Sequence, residues 1–247
     1  MKKIVIVIPA RLQSSRLKNK PLIKINNKEM ILRTIDQCKK ATNIKNIFVC
    51  TDSQKLKSFL SRNNFNNTIV TSKKCKTGTD RIYQFSKKIN AKNYINVQGD
   101  EPIVNPYDIK KIIKYSLSNP DVVVNGYSKI TKNRDYQNKN IPKVVISKNK
   151  FLLYMSRNNI PSNFKNIKRN LFKQICIYSF PKKILNKVFR SNKKGDLESN
   201  EDIEILRFIE NDFKVKMILL SGISMSVDVK EDVREVEKII KKNEKFF

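Results

Sequence analysis

Short apolar runs rich in β-branched residues alternate along this chain with longer segments whose apolar residues recur at helical spacing. The short runs predict strands at 4–8, 46–50, 68–71, 94–98, 122–125, 143–146, 172–179 and 215–220. The longer segments predict helices at 28–41, 53–63, 79–89, 106–117, 200–211 and 230–243. Because strands and helices alternate, we expect an α/β fold in which helices cover a mostly parallel sheet.

The alternation changes between about residue 121 and residue 190, where strand-like runs are joined by polar connectors such as 129–140. It resumes afterwards, so we expect one domain over 1–247, with 121–190 as an inserted layer at an edge. In the predicted helix at 200–211, the apolar residues form one stripe. This pattern places Glu204, Arg207 and Glu210 on the outward face.

The composition is that of a globular protein, with 247 residues of which 39% are hydrophobic. A chain of this length buries a core without disulfide or metal support. The four cysteines form no CxxC pair, which argues against a zinc ribbon or a dithiol centre and favours free thiols in the reducing cytoplasm. Pro9 and Arg11 interrupt the first apolar run, so we expect a buried strand rather than a signal peptide. No run approaches 18 apolar residues, so no membrane-spanning segment is expected.

The charge is unusual, because 52 Lys and Arg residues face 22 Asp and Glu residues and no histidine is present. Ser-His-Asp catalysis, an HExxH zinc site and an imidazole base are therefore excluded. A formal charge of +30 raises the alternative of a basic nucleic-acid-binding protein. The charges are spread along the whole chain, however, which favours a solvated basic surface.

Ligands of parallel sheets bind beyond the carboxyl ends of the strands. The loop after the first predicted strand has no glycine-rich phosphate motif but contains Arg11, Ser14, Arg16 and Lys20, whose cations and hydroxyl suit phosphate oxygens. The segment 76–81 opens the third predicted helix, where backbone N–H groups favour an anion. A simple N-cap at Thr79 explains that segment equally well.

Carboxylates follow two further predicted strands. Gly99 precedes Asp100 and Glu101 at the end of the fourth predicted strand, and Asp228 follows the last one. Repulsion between carboxylates at one sheet edge favours a shared cation, and Mg²⁺ takes one or two carboxylates together with substrate phosphate oxygens. These residues and the phosphate-binding cations suggest metal-assisted nucleotidyl transfer.

The motifs together resemble those of the 3-deoxy-manno-octulosonate cytidylyltransferases, or CMP-Kdo synthetases. The matching segments are IPARxxSSRLxxKPL at 8–22, TGTDR at 77–81, NVQGDEP at 96–102, KVV at 143–145, YMSRNNIP at 154–161, IYSF at 177–180, LES…E…LR at 197–207 and VDVKED at 227–232. They cover nearly the whole chain in the family's order. The resemblance implies a Rossmann-like three-layer α/β/α nucleotidyltransferase fold (the nucleotide-diphospho-sugar transferase fold) and a homodimer formed through the middle region. It also implies transfer of CMP from CTP to the acidic 3-deoxy sugar Kdo for lipopolysaccharide biosynthesis, with pyrophosphate released.

The resemblance also implies roles for single residues. The nucleotide would be bound by Arg11, Ser14, Arg16, Lys20, Thr77, Thr79 and Arg81. The sugar would be bound by Gln98, Arg157, Gln174, Tyr178 and Glu198. Mg²⁺ would be held by Asp100 and Asp228, and the catalytic residues would be Arg11, Lys20 and Asp100.

Three positions depart from the family pattern. Gln174 stands where the family has a histidine that touches the sugar, Cys75 and Lys76 stand where it has another histidine, and Leu197-Glu198-Ser199 stands where it has LEQ or LEH. A related acidic sugar, 8-amino-Kdo or a nonulosonic acid, is therefore an alternative to Kdo.

Overall fold

A central sheet has helices on both of its faces. The computed structural model describes residues 2–13, 17–162, 170–191 and 193–243. The strands are β1 Lys2–Ala10, β2 Lys24–Ile25, β3 Lys28–Glu29, β4 Ile47–Thr51, β5 Thr68–Val70, β6 Ala91–Val97, β7 Val123–Lys129, β8 Lys143–Ile146, β9 Leu152–Ser156, β10 Phe172–Pro181 and β11 Val215–Leu219. The helices are α1 Met30–Ala41, α2 Gln54–Arg62, α3 Gly78–Lys88, α4 Pro106–Ser118, α5 Asn133–Gln137, α6 Lys182–Phe189, α7 Asp196–Glu201, α8 Leu206–Glu210 and α9 Lys230–Lys242. None of the helices in these ranges is long and apolar enough to cross a membrane.

The main sheet has the strand order β11-β7-β10-β6-β1-β4-β5. Within it, β10 runs antiparallel to both of its neighbours, while the other neighbouring strands pair in parallel. The predicted α/β class with a mostly parallel sheet is therefore confirmed. The parallel strands bring the segments after β1 and β6 to the same edge.

Both faces of the sheet are buried, which explains the unbroken apolar run in β1. Ile6 and Ile8 pack in the cluster that contains the apolar faces of α1, α2 and α4. Val5 and Val7 point the other way, into the cluster formed with α3, α6 and α8. A strand covered on both faces needs apolar residues at successive positions rather than at alternate ones.

The middle of the chain is more closely integrated than the expected inserted layer. β7 and β10 lie inside the main sheet, and the addition consists of the hairpin β8–β9, which joins β10 where Lys143 pairs with Lys173. The strand β9 and the helices α5 and α6 were not predicted. β10 also contains an irregularity between Ile175 and Tyr178, where the Asn125 amide donates to the carbonyls of Ile175 and Ile177 at 3.0 and 3.1 Å.

The single helix predicted at 200–211 is wrong, because the chain forms two short helices there. α7 ends before Asp202, which adopts the left-handed conformation (φ 51°, ψ 46°), and α8 begins at Leu206. The break turns Arg207 inward, where its side chain is 2% exposed, and leaves Glu204 partly buried. The predicted outward orientation of both residues is therefore also wrong. Helical spacing cannot give their orientation, because it assumes a continuous helix.

The N-terminus of α3 differs from the alternative in which Thr79 is the cap. Thr77 is the cap: its hydroxyl accepts the Asp80 N–H at 3.1 Å, and the Asp80 carboxylate accepts the Thr77 N–H at 2.9 Å. This reciprocal capping box satisfies two of the first-turn donors. Thr79 lies two residues beyond the cap, and its hydroxyl donates to Glu204 instead.

Candidate active site

A cleft of about 350 Å³ opens at the carboxyl ends of β1 and β6. It is lined by Pro9, Ala10, Arg11, Gln13, Lys20, Pro21, Met30, Gly78, Arg81, Gln98, Gly99, Asp100, Glu204 and Asp228. The location is the one expected for a ligand of a parallel sheet. Most of these residues come from the loops after β1 and β6 and from the segments that precede α8 and α9, while Gly78 and Arg81 belong to α3.

The two predicted metal-binding aspartates meet at one lysine. The Lys20 ammonium donates to Asp100 Oδ2 at 2.5 Å and to Asp228 Oδ1 at 2.9 Å. Burial lowers the pKa of Lys20, but the two carboxylates outweigh burial and raise the pKa above its ordinary value. The lysine therefore stays charged and offsets the repulsion between the aspartates.

Backbone contacts bring these groups together. The Val227 N–H donates to the Asp100 carbonyl at 2.9 Å, which fixes the segment of Asp228 against the end of β6. The Gly99 N–H approaches the Pro9 carbonyl at 3.3 Å. A Cβ atom at Gly99 would lie 2.9 Å from the same carbonyl oxygen, so the close approach of the β1 and β6 loops requires glycine.

Of the predicted nucleotide-binding cations, Arg11, Lys20 and Arg81 line the cleft. Arg11 is exposed, and its guanidinium donates to the Lys76 carbonyl at 3.0 Å. Arg81 lines the cleft from a buried position, where its guanidinium contacts Asp52 at 3.1 Å and the Thr71 hydroxyl at 2.6 Å. The predicted residues Ser14 and Arg16 lie outside the described residues.

The first turn of α3 holds a carboxylate that the sequence pattern did not identify. Glu204 accepts the N–H groups of Gly78 at 3.1 Å and Thr79 at 2.7 Å, and also the Thr79 hydroxyl. Burial raises the pKa of Glu204, while these hydrogen bonds oppose the rise. Its signal in the sequence is a single acidic residue between the buried Ile203 and Ile205. Thr77 and Thr79 thus act on the cleft through Glu204 and the capped helix turn.

The predicted sugar-binding residues are separated in this structure. Gln98 lines the cleft, whereas the others are not among the described residues that line it. Tyr178 is buried near Cys176 and Glu204, and burial followed by these charges raises its pKa well above the ordinary value.

The remaining three predicted sugar-binding residues are held by internal contacts. The Arg157 guanidinium donates to the carbonyls of Lys139, Glu201 and Asp202. The Gln174 amide donates to Asn125 Oδ1 at 3.1 Å. Glu198 is fully buried and paired with Arg207. The polar groups of these three residues are therefore engaged by other parts of the protein.

Glu101 lies beside Asp100 but faces the interior. Its side chain is buried and accepts a hydrogen bond from the Ser224 hydroxyl. Burial raises the pKa of Glu101 to about 7, and the charge of Asp100 adds to the rise. The folded protein therefore keeps a proton on Glu101 in a pH range where the unfolded chain releases it.

This raised pKa predicts that the free energy of unfolding falls as pH rises from about 4.5 to 7, because the folded state binds more protons there than the unfolded state. In Glu101→Gln this contribution is absent, so the variant should gain on the order of 2–3 kcal/mol relative to wild type between pH 4.5 and pH 8. Urea denaturation at four pH values measures the difference. Glu235→Gln, at an exposed glutamate, is the control. Parallel pH curves for wild type and Glu101→Gln would contradict the assignment.

Comparison with known proteins agrees with this geometry. Residues 5–223 match the family described as cytidylyltransferase. A 3-deoxy-manno-octulosonate cytidylyltransferase of Chloroherpeton thalassium is 34% identical, over 97% of this chain and 98% of that protein. An 8-amino-3,8-dideoxy-manno-octulosonate cytidylyltransferase of Shewanella putrefaciens is 33% identical, over 95% of this chain and 97% of that protein.

The solved structure of a CMP:2-keto-3-deoxy-manno-octonic acid synthetase complexed with CTP is also similar. It has a TM-score of 0.90 and 27% sequence identity, and the match covers 98% of this chain and 100% of that chain. The fold and the family resemblance expected from the sequence motifs are therefore confirmed. Since the family pattern extends through residues 5–223 and includes every described segment of the cleft except that of Asp228, this chain belongs to the cytidylyltransferases.

Proposed function

We propose that this protein transfers CMP from CTP to 3-deoxy-manno-octulosonate (Kdo) and releases pyrophosphate. The observation that carries this proposal is the cleft in which Lys20 joins Asp100 and Asp228 beside the cation of Arg11. Full-length similarity to a relative named for this sugar, and to a synthetase solved with CTP, supports the choice of both substrates.

The residues of the cleft suit a divalent metal ion. Asp100 and Asp228 present carboxylate oxygens, the hard ligands that Mg²⁺ prefers, and they already share one cation in Lys20. We propose that these two residues hold Mg²⁺ when the nucleotide is present. The ion would supply charge neutralisation at the phosphate oxygens and orientation of the triphosphate.

Each protein group then has a defined task. Arg11 and Lys20 offset the charge of the triphosphate and of the departing pyrophosphate, and the sequence adds Ser14 and Arg16 to this set. Gln98 and Glu204 also line the cleft, where an amide and a carboxylate can bind sugar hydroxyl groups. Transfer of the nucleotidyl group depends mainly on positioning and charge, so the absence of histidine is compatible with the reaction.

8-amino-Kdo is the second candidate sugar. A relative of almost equal identity is named for that substrate. Gln174, which stands at the family's histidine position, is held by Asn125 rather than aimed into the cleft. The reaction class is the same for both sugars.

A panel assay separates these candidates. We expect pyrophosphate release from CTP with Mg²⁺ and Kdo, and background release without sugar, because the attacking hydroxyl is then absent. With UTP we expect at least about tenfold less release, since small pocket differences change discrimination by about 1–3 kcal/mol. 8-amino-Kdo and a nonulosonic acid are tested in parallel. A higher kcat/KM with 8-amino-Kdo would transfer the assignment to that sugar, and no release with any acidic sugar would contradict the proposed reaction.

The acidic pair predicts a second result. Asp100→Asn keeps the shape of the side chain but removes the charge, so kcat should fall on the order of a hundredfold to a thousandfold. Asp36→Asn is the matched control, because Asp36 also pairs with lysines but lies on α1 away from the cleft. Circular dichroism checks that both variants fold. Activity of Asp100→Asn within threefold of wild type would remove Asp100 from the metal site.

We also propose that the protein forms a homodimer through the region 121–190. Within the described ranges, β9 pairs with β8 alone in the sheet. Leu153 on β9 is 56% exposed. Sedimentation equilibrium should give twice the monomer mass of 28.9 kDa, and Leu153→Lys should shift the mass toward the monomer. A wild-type mass of 28.9 kDa at high micromolar concentration would contradict the dimer.

We place the enzyme in the reducing cytoplasm, which its four free thiols support.

A further inference from the structure

A buried ionic cluster lies behind the cleft, where α3, α7 and α8 meet. The Arg207 guanidinium contacts Asp80 Oδ1 at 3.1 Å and Glu198 Oε1 at 2.8 Å, and its Nε also donates to Glu198. The three residues are at most 3% exposed. The guanidinium carbon also lies 4.0 Å from the centre of the Phe189 ring. The guanidinium therefore contacts this ring as well as the two carboxylates.

Asp80 connects this cluster to the start of α3. Its Oδ1 atom contacts Arg207, while its Oδ2 atom accepts the N–H of Thr77, the cap residue. A carboxylate that must satisfy both partners has little freedom to rotate. Arg207 therefore fixes the orientation of the capping box and of the first turn that follows it.

The first turn of α3 is also the turn that holds Glu204 in the cleft. Gly78 and Thr79 donate to Glu204, which precedes Arg207 by three residues. The segment around α8 thus contacts the start of α3 twice, through Glu204 on the side of the cleft and through Arg207 behind it. A change in the rear contact is transmitted to the front one through a single helical turn.

Stability alone does not account for the cluster. Desolvating three charged groups is costly, and buried ion pairs replaced by apolar residues of similar size often leave stability unchanged or raise it. An apolar cluster would also join α3 to α8. It would not orient the Asp80 carboxylate toward Thr77, which requires a charged, directional partner.

We propose that Arg207 is a positioning residue of the transferase site, which acts through Asp80 and the first turn of α3 to place the Glu204 carboxylate in the cleft. Glu198 holds the guanidinium from the opposite side. The catalytic consequence rests on the proposed function, whereas the positioning of the α3 turn can be measured independently of it.

Hydrogen exchange gives the independent measurement. The first N–H groups of a helix have no acceptor within the helix and ordinarily exchange quickly, but those of Gly78 and Thr79 are bonded to Glu204. In Arg207→Met we expect the protection of these two amides to fall at least tenfold, with the same direction in the isosteric Asp80→Asn. Asp135→Asn, which breaks a partly buried ion pair with Lys173 outside the cleft, is the control and should leave them protected.

Kinetics test the coupling to Glu204. If Arg207 acts through Glu204, then Arg207→Met and Glu204→Gln each lower kcat/KM. The kcat/KM of the double variant then lies within about threefold of that of the less active single variant. A role confined to stability predicts a normal kcat/KM in the folded fraction of Arg207→Met. Effects of the two variants that multiply would show that Arg207 acts independently of Glu204. If Arg207→Met does not fold, Asp80→Asn replaces it in the cycle.

The outcomes separate the two proposals. Unchanged protection of Gly78 and Thr79 in the folded Arg207→Met or Asp80→Asn variant overturns the positioning role, as do effects on kcat/KM that multiply. Wild-type protein that releases no pyrophosphate with any acidic sugar contradicts the proposed function instead. In that case the exchange data still decide whether Arg207 positions the α3 turn.

Discussion

The contact between one lysine ammonium and two carboxylates determines how the rest of the cleft is built. Lys20 lies 80 residues from Asp100 and 208 residues from Asp228, so three distant parts of the chain must meet at one point. Two neighbouring carboxylates repel each other unless a cation joins them, and the cation must itself be sheltered for the attraction to be strong. The close approach at Gly99 and the Val227 hydrogen bond serve this requirement, because they bring the two acidic segments to the same edge of the sheet.

The start of α3 solves a different electrostatic problem. Here the positive end of α3 meets the carboxylate of Glu204, and the charges behind it are satisfied by Arg207 within the protein. The cleft thus contains the exposed cation Arg11, which can meet an anionic ligand, and Glu204, whose charge is balanced by hydrogen bonds from the start of α3. The large excess of lysine over the whole chain does not create this difference, since it arises from which few charges are paired and which are left facing the cleft.

Much of the fold and the acidic half of the site could be predicted from the sequence, because both depend on local patterns. A buried strand followed by Gly99 and Asp100 places a carboxylate at the sheet edge whatever the remaining chain does. The arrangement around Glu204 and the predicted sugar-binding residues could not be predicted in this way. Its geometry depends on Asp202 in a left-handed conformation, on the irregularity of β10 held by Asn125, and on a guanidinium buried between two acids. Each of these is decided by long-range contacts that override helical or strand periodicity. Helical spacing therefore predicts an outward Glu204, while Glu198 is assigned to the sugar by the family resemblance alone.

The left-handed residue between α7 and α8 has a further consequence for how this segment can change over evolutionary time. Glu198 and Glu204 lie on opposite sides of the turn at Asp202 and face different partners, Arg207 behind the cleft and α3 within it. Substitutions on the surface of the turn leave this division intact. A one-residue insertion or deletion between Asp202 and Glu204 would change the register of Glu204 and Arg207 against the partners on α3 and α7 that they must reach. The loop therefore has freedom of composition but not of length, which is the opposite of what surface loops usually tolerate.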